Sequence, residues 1–235
     1  MTASNGARVR SAPTDFDSFR EERALMVAQQ LRARGIHDAR VLDAMLDIPR
    51  HFFVPAGAAA QAYSDQPLPI GEDQTISQPY MVAVMSEALE LAGSERVLEI
   101  GTGTGYQTAV LARLAREVYS VEVSATLATL ARERLAQMGF SNVVIVTGDG
   151  SEGLAAHAPY DAIVVTAAAP AIPPPLVEQL AEGGRLVIPI GPVGATETQE
   201  LVGVRKHAGQ SKQEILHYCR FVPLLGRYGW PERDA

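Results

Sequence analysis

Between residues 95 and 190, short apolar runs alternate with longer amphipathic stretches. The apolar runs are 96–100, 117–123, 142–147, 160–166 and 185–190, and the amphipathic stretches are 106–115, 124–138 and 173–181. Short runs that are apolar on both faces are typical of buried parallel strands, whereas apolar residues at helical spacing predict helices. This βαβαβαβαβ alternation predicts a parallel sheet with helices on both of its faces.

The region before the alternating pattern is predicted to be helical. A first amphipathic helix is expected over 19–34, with Gly35 as its C-cap. Its apolar face should comprise Leu25, Ala28 and Leu31. Asp38 is expected to cap a second helix that ends before Pro49. The following segment, Pro-Arg-His-Phe-Phe-Val-Pro at 49–55, is interpreted as a packed corner.

A proline-containing stretch over 63–71 predicts an extended loop. A helix is expected to follow over 78–91, with Pro79 in its first turn and Ser77 as its N-cap. Capping is the simpler role for Ser77. The alternative is that Ser77 and the first free N–H groups of this helix hold an anionic substrate.

After the last predicted parallel strand the pattern changes to strand-like alternation over 199–206 and 214–222, which predicts an antiparallel hairpin. The predicted fold is therefore α/β, with a doubly wound, mostly parallel, Rossmann-like sheet of about seven strands. The C-terminal hairpin completes this sheet, and a helical segment precedes it. We expect a flexible tail over 1–16, one domain over 17–227 that divides into 17–92 and 93–227, and a C-terminal tail over 228–235.

Composition narrows the possible partners and compartments. The 235 residues carry a net charge of −7, which argues against a nucleic-acid partner because such a partner would require a basic surface. Cys219 is the single cysteine, so no internal disulfide can form and a reducing, cytoplasmic location is expected. Neither a signal sequence nor a membrane span is predicted. The five histidines are scattered without metal-ligand spacing, so no metal site is predicted.

Directly after the first predicted strand of the alternating region, the chain reads Glu99-Ile100-Gly101-Thr102-Gly103-Thr104-Gly105-Tyr106. Glycines at alternate positions let the backbone turn with positive φ and let a ligand approach closely. Two features weaken a dinucleotide-binding interpretation: this chain has Tyr106 where such a turn requires a glycine, and the acidic Glu99 would lie close to the negatively charged pyrophosphate. A cationic ligand suits Glu99 better. The pattern therefore favours S-adenosyl-L-methionine, with a tight turn that binds no ligand as the alternative.

Acidic residues lie at or near the ends of three predicted strands, where ligands of open α/β sheets bind. They are Glu99, Glu122 and Asp149. Glu122 lies about 20 residues beyond the glycine turn, where a carboxylate can accept hydrogen bonds from ribose hydroxyls. Its alternative role is a solvated charge at a strand end. Asp149 can meet an adenine amino group or, equally well, form an Asx-turn.

Several stretches together resemble the protein-L-isoaspartate (D-aspartate) O-methyltransferases. The glycine motif 98–112 alone is typical of class I methyltransferases in general. The segment Gln-Thr-Ile-Ser-Gln-Pro at 74–79 is similar to the substrate segment of this family and narrows the assignment. The segment 49–55 and the later blocks 160–170 and 184–191 also resemble the family, and the similarity extends from about 24 to 225.

The resemblance implies a repair enzyme. Such enzymes transfer a methyl group from S-adenosyl-L-methionine to the free α-carboxylate of L-isoaspartyl residues in damaged proteins and peptides. Ser77 matches the active-site serine within segment 17–92, and 93–227 is the cofactor-binding core. The implied cofactor-binding residues are Glu99, Gly101, Thr102, Gly103, Gly105, Glu122, Val123, Asp149 and Gly150. A monomer is expected.

One position departs from the family pattern. Asp73 stands where family members often have a glycine, and an L-residue with positive φ is less favourable there than glycine. Three other functions stay open at this stage: a class I methyltransferase with a small-molecule or nucleic-acid substrate, a non-catalytic S-adenosylmethionine-binding module and, less favoured, a nicotinamide-dependent dehydrogenase.

Overall fold

The computed structural model describes residues 16, 18–194 and 196–231, so the predicted tail over 1–16 lies outside the described residues except for Phe16. The strands are β1 (Leu68–Gly71), β2 (Gln74–Ile76), β3 (Arg96–Ile100), β4 (Glu117–Glu122), β5 (Val143–Thr147), β6 (Tyr160–Val165), β7 (Leu180–Ile190), β8 (Gln199–His207) and β9 (Gln210–Cys219). The α-helices are α1 (Arg20–Leu25), α2 (Ala39–Asp47), α3 (Pro79–Ala88), α4 (Tyr106–Leu114), α5 (Ala125–Gln137) and α6 (Pro174–Gln179).

Seven of these strands form the central sheet in the order β5-β4-β3-β6-β7-β8-β9. Strands β3 to β7 run parallel to one another, β8 pairs antiparallel with β7, and β8 and β9 form an antiparallel hairpin at one edge. The order reverses at β3, which lies between β4 and β6. The predicted α/β class and the C-terminal hairpin are confirmed, and the reversal puts the ends of β3, β4 and β6 at the switch point where ligands bind.

Alternate residues of the parallel strands pack on opposite faces of the sheet. Val97 and Val118 belong to the apolar cluster that contains the N-terminal helices and α4. Leu98 and Ile163 belong to the second cluster, together with Leu176 of α6. Because both faces are covered, the strands are apolar at nearly every position, which is why their hydrophobic runs predict them so well.

Two connections differ from the prediction. Between β5 and β6 the chain makes two short 3-10 turns, Gly150–Glu152 and Ala155–His157, where the strand–helix alternation implied a helix. Strand β7 begins at Leu180, so the helix expected over 173–181 ends early and Gly183 and Gly184 lie within the strand. The pairing of β6 with β7 shifts register there, and glycines accommodate such a bulge.

The first predicted helix is continuous but not uniformly α-helical. After α1 the chain forms a π-helical turn over Met26–Leu31 and a 3-10 turn over Arg32–Arg34, and it ends as predicted at Gly35. The predicted apolar face is confirmed only at Leu31, which is buried. Leu25 is 53% exposed, and Ala28, within the wider π-turn, is also exposed. The buried residues are Arg23, Met26, Val27 and Leu31.

The stretch predicted as an extended loop ends in a β-hairpin. Strand β1 pairs antiparallel with β2, and Gly71 faces Gln74 across a two-residue turn. Both turn residues, Glu72 and Asp73, have φ of 52°, as hairpin turns of this length require. Position 73, where family members often have glycine, thus has positive φ. Asp73 adopts this conformation at an energetic cost that glycine would not incur.

The N-cap predicted at Ser77 is wrong. Helix α3 begins with Pro79 at its first position, and Gln78 is the N-cap residue without a side-chain capping hydrogen bond. Proline suits the first helical position because an N–H there would have no partner within the helix. The Ser77 side chain therefore has no capping role.

The segment 49–55 forms the packed corner that its sequence predicted. Arg50 and Phe53 are completely buried, and the Arg50 Nε donates to the Ala62 carbonyl oxygen at 2.7 Å. The guanidinium of Arg50 lies 4.9 Å from the centre of the Tyr106 ring, and the Phe53 ring lies 5.6 Å from it. Tyr106 thus anchors the first turn of α4 to the N-terminal helical segment.

Asn142 ties the end of α4 to the start of β5. Its Nδ2 group donates to the carbonyl oxygens of Ala112, Ala115 and Arg116 at 3.0, 3.3 and 3.3 Å. The carbonyl groups at the C-terminal end of a helix lack partners within the helix, so this side chain satisfies some of them.

Replacing Asn142 with alanine is expected to lower the free energy of unfolding by about 1–2 kcal/mol, because the helix-end carbonyls lose their donor. Urea denaturation followed by circular dichroism measures this change. The neighbouring exposed residue supplies the control, since Ser141→Ala should change the free energy by less than about 0.5 kcal/mol. Equal stability of both variants would contradict the role of Asn142.

Candidate functional site

The carboxyl ends of β3, β4 and β6 open into a cavity, which we call the donor cavity. The glycine turn, the hairpin β1–β2, the loop after β5 and the segment after β9 form its walls. The predicted site residues that line it are Ser77, Gly101, Thr102, Gly103, Glu122, Val123 and Gly150. Glu99, Gly105 and Asp149 lie behind this wall.

The glycine turn packs directly against the end of β6. Gly101 has a φ of 92°, and a Cβ atom at this position would lie 2.4 Å from the Thr166 Oγ1 atom. The Thr166 hydroxyl donates to the Gly101 carbonyl oxygen at 2.6 Å. Gly105 also has positive φ, and a Cβ atom there would lie 3.3 Å from Ala131 of α5. Gly101 is therefore required for the floor of the cavity, and Gly105 for the packing behind it.

Glu122 connects the end of β4 to the glycine turn. Its carboxylate accepts hydrogen bonds from the Gly103 N–H at 2.7 Å and the Ser124 N–H at 3.0 Å. The residue is only 5% exposed, so it is not the solvated strand-end charge of the alternative interpretation. An anionic group is thus fixed at the edge of the donor cavity.

Asp149 is occupied by contacts to the backbone. It caps a 3-10 turn by accepting hydrogen bonds from the Ser151 N–H at 2.8 Å and the Ser151 hydroxyl at 2.7 Å. Its second oxygen accepts from the Arg227 N–H at 2.7 Å. This is the turn geometry that the sequence allowed as an alternative. Gly150 does line the cavity, and a Cβ atom there would lie 2.4 Å from the Ile100 Cγ2 atom.

A second cavity of about 400 Å³ adjoins the donor cavity, and we call it the acceptor cavity. It extends along the segment 217–222 at the end of β9, with Pro67, Gln78, Met81 and Thr198 on other sides. Four residues line both cavities: Thr75, Ser77, Thr166 and Val222. Ser77 therefore lies in the wall between two adjacent binding spaces.

Sequence reasoning missed two parts of the site. Thr166 directly follows β6, so the strand-end rule that selected Glu122 could have found it. The segment 222–225 also lines the donor cavity. No local signal points to it, because the antiparallel hairpin β8–β9 brings it to the switch point from a distant part of the chain.

The part of the chain that the structure describes contains neither a metal site nor a membrane-spanning helix. Across residues 16, 18–194 and 196–231, no three His, Cys, Asp or Glu side chains form a group that could hold a metal ion. In the same part of the chain, every helix is too short or too polar to span a bilayer.

Comparison with known proteins assigns a family to this geometry. The family model described as protein-L-isoaspartate(D-aspartate) O-methyltransferase matches residues 21–229. The protein-L-isoaspartate O-methyltransferase of Methanoculleus marisnigri is 56% identical over 216 residues, which cover 92% of this chain and 97% of that protein. The protein of the same name from Syntrophus aciditrophicus is 53% identical over 215 residues, with 92% and 99% coverage.

Solved structures agree with the sequence comparison. One that is named protein-L-isoaspartate O-methyltransferase superposes with a TM-score of 0.76 and 32% identity, covering 88% of this chain and 67% of that chain. Another, a protein-L-isoaspartate O-methyltransferase structure from Plasmodium falciparum in complex with S-adenosyl-L-homocysteine, has a TM-score of 0.74 and 26% identity. That match covers 87% of this chain and 98% of the Plasmodium chain.

Glu99 lies beneath the glycine turn and is completely buried. Its Oε2 atom accepts hydrogen bonds from the hydroxyls of Thr108 at 2.5 Å and Ser120 at 2.6 Å. The Oε1 atom is buried without a partner among the described residues. Burial raises the pKa of Glu99 to about 8; the two hydrogen bonds oppose this shift, and the charge of Glu122 adds to it.

Glu99 is therefore expected to make the stability of the protein depend on pH. Its ordinary pKa is 4.5, so between pH 4.5 and about 8 the folded state binds more protons than the unfolded state. The stabilisation is complete below pH 4.5 and is lost as the pH rises through about 8.

The isosteric variant Glu99→Gln cannot titrate, so its free energy of unfolding should rise relative to that of the wild type as the pH increases. The slope is at most about 1.4 kcal/mol per pH unit. Urea denaturation of both proteins at a series of pH values across this window measures the difference. A difference that stays constant over the series would refute the assigned pKa shift.

Proposed function

The chain belongs to the protein-L-isoaspartate(D-aspartate) O-methyltransferase family, and we propose that its active site lies at Ser77, between the donor and acceptor cavities. The chain is an S-adenosylmethionine-dependent enzyme. It methylates the free α-carboxylate of L-isoaspartyl residues in damaged proteins and peptides. The methyl ester can close to a succinimide, which allows an ordinary aspartyl residue to form again.

The donor cavity fits S-adenosyl-L-methionine. Gly101 and the Thr166 hydroxyl fix its floor, and Glu122 presents a fixed carboxylate at the cavity edge. When bound, this cofactor supplies a methyl group on a positively charged sulfur. The residues proposed to hold it are Glu99, Gly101, Thr102, Gly103, Gly105, Glu122, Val123, Asp149 and Gly150. Of these, Glu99 and Gly105 act from behind the wall, and the adenine contact of Asp149 stays a prediction.

The observation that carries this proposal is the wall shared by the two cavities. Ser77 and Thr166 border both, so a methyl donor on one side and a carboxylate on the other can meet beside these hydroxyls. Ser77 has no capping role in α3, so its hydroxyl can donate to the substrate carboxylate. Holding two reactants in one geometry supplies a large part of the rate in such transfers.

The reaction needs no general base. A carboxyl group has a reference pKa of about 4 and is ionised at neutral pH. With the methyl donor bound, the carboxylate oxygen would accept the methyl group while the bonding electrons stay with the sulfur, and no proton would have to be removed. Because the anion and the sulfonium would neutralise each other, exclusion of water by the apolar walls would favour the transfer.

The acceptor cavity suits an anionic substrate. His217 and Arg220 line it, whereas none of the described residues that line it is Asp or Glu. The protein as a whole carries a net charge of −7, so the basic side chains in this cavity run against the overall charge. A peptide carboxylate would meet these basic side chains there.

We also propose the organisation and setting of the enzyme. Residues 17–227 act as one methyltransferase domain, in which 17–92 supplies the substrate segment and 93–227 supplies the cofactor core. One chain lines both cavities, which supports a monomer. The acidic charge speaks against a nucleic-acid partner, we infer no membrane partner, and the buried free thiol of Cys219 supports a cytoplasmic location.

Paired peptides test the reaction directly. With S-adenosyl-L-methionine labelled in its methyl group, a peptide with L-isoaspartate should be labelled, and its L-aspartate counterpart should not. The product should lose its label in mild alkali, because a carboxyl methyl ester is base-labile. Equal labelling of both peptides, or an alkali-stable product, would indicate a different methyltransferase, and cofactor binding without any transfer would indicate a binding module.

Ser77→Ala tests the role of the hydroxyl. We expect kcat for the isoaspartyl peptide to fall about 10-fold or more, which corresponds to the loss of one hydrogen bond to a charged group. Affinity for S-adenosyl-L-homocysteine, measured by isothermal titration calorimetry, should change less than about 2-fold. Ser64→Ala, at an exposed serine of the preceding loop, is the control. A large loss of cofactor affinity in Ser77→Ala would contradict the assignment.

A further inference from the structure

The segment 222–230, which we call the strap, crosses the donor cavity. Residues 222–225 form part of the cavity wall, and Val222 also lines the acceptor cavity. The strap is joined to the loop after β6 near both of its ends, at 222–224 and 230, and its turn at 227–228 is joined to the loop after β5. Strands β3 and β4 lie between these loops in the sheet, so the strap spans the two strand ends that carry the glycine turn and Glu122.

The attachment beside β6 consists of backbone pairing. The Ala168 N–H donates to the Val222 carbonyl oxygen at 2.7 Å, and the Leu224 N–H donates to the Ala168 carbonyl oxygen at 2.8 Å. The indole N–H of Trp230 donates to the same Ala168 oxygen at 3.1 Å. The Trp230 N–H donates to the Leu224 oxygen at 2.7 Å, so the strap folds back on itself.

The attachment beside β5 depends on two side chains. Asp149 accepts from the Arg227 N–H at 2.7 Å, and the Ser151 hydroxyl oxygen accepts from the Tyr228 N–H at 2.9 Å. The Ser151 hydroxyl in turn donates to Asp149 at 2.7 Å, and Ser151 is completely buried. One carboxylate and one hydroxyl thus hold two successive backbone groups of the strap.

The contact is too close for a side chain at the turn of the strap. A Cβ atom on Gly226 would lie 2.0 Å from the Asp149 Oδ1 atom, and its φ is 139°. A Cβ atom on Gly229 would lie 2.1 Å from the Leu224 carbonyl oxygen. Glycine at these positions lets the strap approach Asp149 directly.

We propose that Asp149 and Ser151 form a latch that holds the strap over the donor cavity and thereby sets how long the cofactor stays bound. Both act as positioning residues, because they touch the strap backbone and lie outside the cavity wall. This latch role is separate from the adenine contact predicted for Asp149. The inference rests on the cofactor site proposed above, but it does not depend on the identity of the methyl acceptor.

Ser151→Ala tests the latch without altering any residue that lines either cavity. It removes the acceptor of the Tyr228 N–H and leaves the Asp149 carboxylate in place. Dissociation of S-adenosyl-L-homocysteine should become about 3- to 10-fold faster, the factor expected when one of the two hydrogen bonds between the latch and the strap is lost. Rapid dilution of the loaded protein measures this rate through the fluorescence of Trp230, the single tryptophan of the chain, which lies in the strap itself.

Gly226→Ala is a second, independent variant. Its added methyl group would collide with Asp149, so it separates the strap from an intact latch, and dissociation should again accelerate. Ser211→Ala, at an exposed serine of β9 outside both cavities, should keep the wild-type rate. Trp230 emission of the cofactor-free protein should shift in Ser151→Ala and Gly226→Ala and remain unchanged in the control.

Wild-type dissociation rates in both strap variants would overturn the latch. If one variant does not fold, the dissociation rate of the other variant tests the latch. The unfolding midpoint of each cofactor-free variant shows whether the substitution destabilises the whole protein. Because the probe is S-adenosyl-L-homocysteine alone, the outcome is separate from the peptide assay. If the wild type does not methylate the isoaspartyl peptide but the strap variants still release S-adenosyl-L-homocysteine faster, the proposed methyl acceptor is wrong and the latch stands.

Discussion

The close approach of β6 to the glycine turn is the constraint on which the rest of the site depends. Only a residue without a side chain fits at Gly101, because the Thr166 hydroxyl occupies the place of its Cβ atom. That hydroxyl is also bonded to the Gly101 carbonyl oxygen, so the floor of the donor cavity and the wall of the acceptor cavity are fixed together. A larger residue at 101 would push these two surfaces apart and disturb both cavities at once.

Charge is distributed unequally around this floor. On the donor side, the Glu122 carboxylate is held by backbone N–H groups at the cavity edge. On the acceptor side, the lining includes His217 and Arg220, and no Asp or Glu is found among the described residues that line it. A cationic donor and an anionic acceptor each meet the opposite charge, so the fold favours the two reactants on different sides of Ser77.

Much of this fold follows from the sequence, because strands buried on both faces are mostly apolar. The runs that became β3 and β4 and the turn from Gly101 to Gly105 are local features and were predicted correctly. The π-turn at Met26–Leu31 was not, since a helix that widens by one residue has no signature in apolar spacing. Nor could the sequence place the segment 222–225 against the donor cavity, because the hairpin β8–β9 determines that contact.

The wrong N-cap prediction for Ser77 also shows that a local sequence pattern does not determine the role of a single residue. Serine before a helix is typical of an N-cap, but the helix begins at Pro79, so Gln78 and not Ser77 is the N-cap residue. The strand-end rule found Glu122 and Asp149, yet only the structure separates a carboxylate in the cavity wall from one that is bonded to the backbone behind it. Local preference states what a residue can do, and the surrounding contacts decide which of these roles it takes.

The wall common to the two cavities has a consequence for inhibitor design. A single molecule that joins an adenosyl group to an isoaspartyl carboxylate through a short linker would occupy both spaces at once. Once one half is bound, the other half is present at a high effective concentration, so the affinity of the pair exceeds that of either fragment. The linker would run beside the residues that border both cavities, which are Thr75, Ser77, Thr166 and Val222.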